Sequence, residues 1–185
     1  MATTNEVDAA LAALAAAYPL HFKQSSERDA AVARRVYHLI LSDLNGALLE
    51  AAAVHWVSTS HPFHPAPGEL RAFAYALQDQ TPSAEEAWGL VTQAKARYGS
   101  YGSPEFNQPL VAQAVEIMGW RNLCLSENEV ADRAHFFRVY DSLSARKTSA
   151  DLMLPEVRQT IQALKEGKVH DAIASLTAKL KLKGE

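Results

Sequence analysis

Apolar positions recur every three or four residues along most of this chain, the spacing that gathers them on one face of a helix. Val7, Leu11, Leu14 and Tyr18 form the first such face, opened by Thr3 and Glu6 at capping-box spacing and ended by Pro19. Ser25 or Ser26 is placed to cap a second helix, whose predicted inward residues are Val32, Val36, Leu39 and Ile40. A turn over Asp43 to Gly46 precedes a third, carrying Leu48, Leu49, Ala52 and Trp56. No run alternates with period two for long, so strands are not expected.

Pro62, Pro65 and Pro67 interrupt the helical pattern, and residues preceding proline are held extended, which predicts a stiff connector. Pro67 suits the first position of a short helix with Leu70, Phe73 and Leu77. The chain breaks over Asp79 to Pro82, where a domain boundary is expected. Beyond it, Ser83 and Glu86 form a second capping box before Ala84, Ala87, Trp88, Val91 and Tyr98. A loop from Gly99 to Gln108 leads to a helix opened by Pro109 and stopped by Gly119, with Val111, Ala114, Val115 and Met118. Ser126 and Glu129 give a third capping box, and the helix after it is read with Val130, Ala134, Phe137 and Tyr140 inward.

Two amphipathic patterns close the chain, Val157/Ile161/Leu164 and Val169/Ile173/Leu176/Leu180. The expected fold is therefore all-α, with a helical N-terminal domain over 1–80, a second helical domain over 81–148 and a C-terminal hairpin or tail over 149–185.

Composition adds three bounds. Apolar residues make up 48% of the 185, enough for a core, and the formal charge of −3 gives no overall basic footprint for DNA. Cys124 is the single cysteine, so no intrachain disulfide forms, in keeping with a reducing cytoplasm. Neither a signal peptide nor a membrane span is read from the pattern.

Motifs for chemistry are sparse. The Gly167-Lys168 pair lacks the preceding glycine and following Ser/Thr of a phosphate-binding loop, and no GxSxG, HExxH or CxxC occurs. His55, His61 and His64 cluster around the connector, but without completing carboxylates or cysteines they read as loop packing rather than a metal site. Asp132 and His135 share a helix face, which suits a local hydrogen bond or a polar contact patch. Phe136 and Phe137 are adjacent and cannot face the same way. With Phe137 read as buried, Phe136 points elsewhere. No cofactor or metal is expected.

Two stretches resemble the phage replicative helicase loader/inhibitor family. One contains Ala17-Tyr18-Pro19, Leu41-Ser42-Asp43, Trp56 and Pro62-Phe63-His64-Pro65-Ala66-Pro67-Gly68-Glu69-Leu70. The other contains Glu86-Ala87-Trp88, Tyr98-Gly99, Gly119-Trp120, Ser126-Glu127-Asn128 and Asp132-Arg133-Ala134-His135-Phe136. The resemblance implies a non-enzymatic replication adaptor from a phage or prophage. Its partners would be a DnaB-type hexameric helicase, which it inhibits and delivers, and an origin-bound initiator.

Residues expected to meet a partner are Arg133, His135 and Phe136, with the basic tail Lys179, Lys181 and Lys183. An alternative reading is a nucleic-acid-binding accessory protein acting through that tail and an aromatic and basic corner of Lys95, Arg97, Tyr101 and Arg121.

Overall fold

A computed structural model describes residues 2–20, 26–59 and 61–166. Nine helices and no strands occur among the described residues, so the fold is all-α. They are α1 (Thr4–Ala17), α2 (Glu27–Leu41), α3 (Gly46–Ser58), α4 (Pro67–Gln78), α5 (Ala84–Tyr98), α6 (Pro109–Met118), α7 (Trp120–Leu125), α8 (Glu129–Leu152) and α9 (Pro155–Lys165). The chain divides into two compact units, one of Met1–Asp79 with the chain from Leu152 onward, the other Gln80–Asp151. Among the described residues, Leu152–Glu166 groups with the first unit.

In the first unit, α1 packs on α3, and α4 on α2 and α3, around Val7, Leu14, Leu41, Leu49 and Leu70. The Thr3–Glu6 capping box forms as the spacing predicts: Glu6 Oε2 accepts from the Thr3 backbone N–H at 2.6 Å, and Thr3 Oγ1 accepts from the Glu6 N–H at 3.3 Å. Ser26 caps α2 and Asn45 caps α3. The face of α2 differs from expectation. Tyr37 and Leu41 are its buried residues, while Val32 is exposed. Hydrophobicity alone misphases this helix because the polar-tipped Tyr37 buries its ring.

Asp8 on α1 binds two bases of α2, receiving the Arg34 Nε–H at 2.7 Å and lying 2.9 Å from His38 Nε2. The Arg34 hydrogen bond holds the Asp8 carboxyl well below the usual range, at about 2.

Tyr18, Tyr37 and Trp56, from three places in the unit, secure the proline connector. The Tyr18 hydroxyl donates to the His61 carbonyl at 2.9 Å, Trp56 Nε1–H to the Phe63 carbonyl at 3.3 Å, and the Tyr37 hydroxyl to the Pro65 carbonyl. An extended segment rich in proline cannot pair its own carbonyls, so side-chain donors satisfy every second one. Burial, with the nearby Glu69 carboxylate, pushes the Tyr37 phenol up to about 12, which keeps it a donor. The histidines pack on these rings. His61 stacks on Trp56 with centroids 3.8 Å apart, and His64 sits edge-on to both Tyr18 and Tyr37.

Arg71 is the one buried charged residue among those described. Its guanidinium donates to the Asp43 carboxylate from both Nη atoms, with Nη2–Oδ2 at 2.8 Å. Nη1 also reaches the Ile40 carbonyl at 2.8 Å, Nε the Leu152 carbonyl at 3.0 Å and Nη2 the Tyr75 hydroxyl at 3.4 Å. A guanidinium has five N–H donors, so this set leaves none over. Hydrogen bonding to Asp43 raises the Arg71 pKa further.

In the second unit, Ser83 and Glu86 cap α5 reciprocally, again as their spacing predicts. Gly99 (φ 62) ends α5 and Gly119 (φ 82) separates α6 from α7, both in the left-handed half of the map where glycine is favoured. The core joins Trp88 and Val91 of α5, Val111 and Val115 of α6, Leu123 of α7, and Phe136 and Tyr140 of α8. The Tyr140 hydroxyl donates to the Pro82 carbonyl at 2.8 Å, tying α8 to the start of the unit.

Helix α8 is rotated from its predicted phase. Phe136 is fully buried, Phe137 is half-buried, and Val130 is 81% exposed. Its cap differs too: Asn128 Oδ1 accepts from the Ala131 N–H at 3.0 Å, so Asn128 takes the role expected of Ser126. Ser126 instead accepts from the Asn128 N–H within the preceding turn.

Candidate functional site

The buried face of α8 is set by Phe136 and Tyr140, four residues apart. Once that face is fixed, His135, Arg138, Ser142 and Arg146 follow at steps of three, four and four, and so line up along an adjoining face. Val139 and Leu143, half-buried against the core, run beside them. Across from this stripe stands Ile117 of α6, 60% exposed. Together they line a groove of about 390 Å³.

Its electrostatics are one-sided. Neither Arg138, Arg146 nor His135 makes a hydrogen bond or ion pair among the described residues, whereas Arg34 and Arg71 are committed to carboxylates. The groove therefore presents two uncompensated guanidiniums and an imidazole above an apolar floor. Of the two roles the sequence suggests for Asp132 and His135, a local hydrogen bond or a polar contact patch, the hydrogen bond is not formed, and Asp132 Oδ2 is buried without a hydrogen-bond partner among the described residues.

The sequence-derived contact set is dispersed. His135 lies on the groove. Arg133 lies elsewhere on α8, with its guanidinium 5.1 Å from the Phe137 ring centroid. Phe136 does not belong to any surface, being wedged in the core between Trp88 (centroids 5.3 Å) and Tyr140 (5.7 Å). Periodicity faces Phe136 outward by placing Phe137 inward, and the structure differs by one helical position. Lys179, Lys181 and Lys183 lie outside the described residues. Arg138 faces outward in either phase; Val139, Leu143 and Arg146 stand beside it by three-and-four spacing, and only the phase set by Phe136 turns them toward Ile117 of α6.

The aromatic and basic corner does assemble in part. Tyr101 is 92% exposed with the Arg121 guanidinium 5.9 Å from its ring centroid, and Arg97 lies 5.3 Å from that of Tyr98. Lys95 turns inward, 6.0 Å from the Trp88 ring centroid. Trp120 Nε1–H donates to the Gly99 carbonyl at 3.0 Å and fixes the turn beneath these side chains. Cys124 also points at that carbonyl, and burial pushes its thiol up, away from the reactive thiolate.

No group of three or more histidine, cysteine or acidic side chains is placed to hold a metal among the described residues, and no described helix is long and apolar enough to cross a membrane. No protein-family model, curated protein or solved structure matches this chain.

Proposed function

We propose that this chain is a non-enzymatic replication adaptor that binds a DnaB-type hexameric helicase, restrains it, and delivers it to an origin-bound initiator in a bacterial host cell. The observation that supports this reading is the α8 groove, where cations without a partner among the described residues stand over exposed apolar surface. Such a surface is poorly satisfied by water alone and well suited to a protein partner. The resemblance of the 83–140 stretch to helicase loader/inhibitor proteins supplies the partner's identity. To regulate the helicase, the adaptor must favour one of its states, since equal affinity for both shifts nothing.

On size exclusion, the purified chain mixed with its host's replicative helicase should co-elute as a complex with ATP or ADP present. Separate elution under both nucleotides overturns the reading.

A second reading is favoured by Tyr101, whose exposed ring beside Arg121 offers a stacking platform for a base of single-stranded nucleic acid. It predicts salt-sensitive anisotropy changes of labelled oligo(dT). Tyr101→Ala should weaken binding by about five- to a hundredfold, the range of one stacked base. An unchanged signal at low salt removes this reading.

A further inference from the structure

We infer that the α8 groove receives an acidic amphipathic helix of a partner protein, its apolar residues on Val139 and Leu143 and its carboxylates on Arg138 and Arg146. The inference rests on the adaptor reading and narrows it to one class of partner segment.

Three observations lead to this occupant. Arg138 and Arg146 lie eight residues apart on one helix, so their Cα atoms are separated by about 12 Å along its axis. Two cations at that fixed separation match carboxylates seven or eight residues apart on a second helix lying alongside. Between them the floor is apolar, with Val139 and Leu143 half-buried and Ile117 exposed opposite, which matches apolar residues three and four positions after the first carboxylate. Finally, His135, Arg138 and Arg146 have no acidic partner within the described residues, so complementary charge must come from outside the groove. A phosphate chain would engage the guanidiniums but gain nothing from Val139, Leu143 and Ile117. A helix uses both halves of the surface.

The test uses the full chain and a fluorescein-labelled peptide of about four helical turns, with glutamates eight apart and leucines three and four positions after the first. Saturable binding at physiological ionic strength is expected. The double variant R138E/R146E should weaken it by about tenfold or more, since it replaces attraction by like-charge repulsion. Leu143→Asp should weaken it comparably, with unchanged far-UV circular dichroism as the control on folding. A scrambled peptide of the same composition that binds equally well overturns the inference, because it would show attraction without a helical face. So does oligo(dT) binding abolished by R138E/R146E when the peptide fails to bind. Helicase co-elution retained by R138E/R146E overturns the groove assignment while leaving the adaptor reading intact. Peptide binding that depends on these residues, without helicase co-elution, upholds the acidic-helix groove and removes the helicase as its partner.

Discussion

Arg71→Met should destabilise the first unit by about 3–5 kcal/mol, the usual cost of removing one member of a buried, hydrogen-bonded ion pair. Methionine keeps most of the aliphatic stem, so the loss reports chiefly on the guanidinium. Five donors vanish together. The Asp43 carboxylate, largely shielded beside Arg71, is left without its counter-ion. The Ile40 and Leu152 carbonyls lose their side-chain donor, as does the Tyr75 hydroxyl. Arg71→Lys should rescue little, because an ammonium has three donors and cannot span a carboxylate in a planar fork while also reaching two carbonyls. Arg71→Met/Asp43→Leu should recover part of the loss by removing the orphaned charge, but not the share that comes from the carbonyls. Urea unfolding followed by fluorescence in a Trp88→Phe/Trp120→Phe background, where Trp56 is the remaining tryptophan, reads this unit. A midpoint change worth less than about 1 kcal/mol for Arg71→Met would show that water replaces the guanidinium at little cost.

Helix ends were legible in the sequence, and helix faces much less so. Thr3 with Glu6, Ser83 with Glu86, Pro67, Pro109, Gly99 and Gly119 all mark boundaries through local chemistry, a reciprocal hydrogen bond, a fixed φ or a permitted positive φ. Such signals need no knowledge of what the helix packs against. Faces depend on tertiary partners. On α2 the decisive residue is Tyr37, whose hydroxyl finds the Pro65 carbonyl across the unit and so lets a polar-tipped ring outrank Val32. On α8 two phenylalanines are adjacent and few other apolar residues vote, so a shift of one position was undecidable by periodicity. That shift concealed the groove as well, because only the correct phase turns Arg138, Val139 and Arg146 toward Ile117 of α6. Arg71 carried no sequence signal, since a buried arginine resembles any exposed one until its acceptors are folded around it.

Phe136→Ala should cost the second unit about 3–5 kcal/mol, the range for truncating a fully buried phenylalanine. The ring is completely excluded from solvent and contacts Trp88 on one side and Tyr140 on the other. Removing it opens a cavity between two large, anchored side chains that cannot easily collapse. Trp88 carries the nearby Lys95 ammonium over its ring, and Tyr140 is held by its bond to Pro82. Phe137→Ala should cost distinctly less, since that ring is half-buried, lying at the core margin with Arg133 over it. Val130→Ala, at an exposed position, should stay within about 0.5 kcal/mol of the parent. Thermal unfolding followed by tryptophan fluorescence in a Trp56→Phe background, where Trp88 and Trp120 both report on this unit, separates the three, with a fall of more than about 10 °C expected for Phe136→Ala alone. The opposite order, with Phe136→Ala harmless and Phe137→Ala severe, would return α8 to the phase that periodicity suggested. His135, Arg138 and Arg146, with Val139 and Leu143, would then no longer face Ile117 across the groove, so this one substitution tests the core and the surface built on it together.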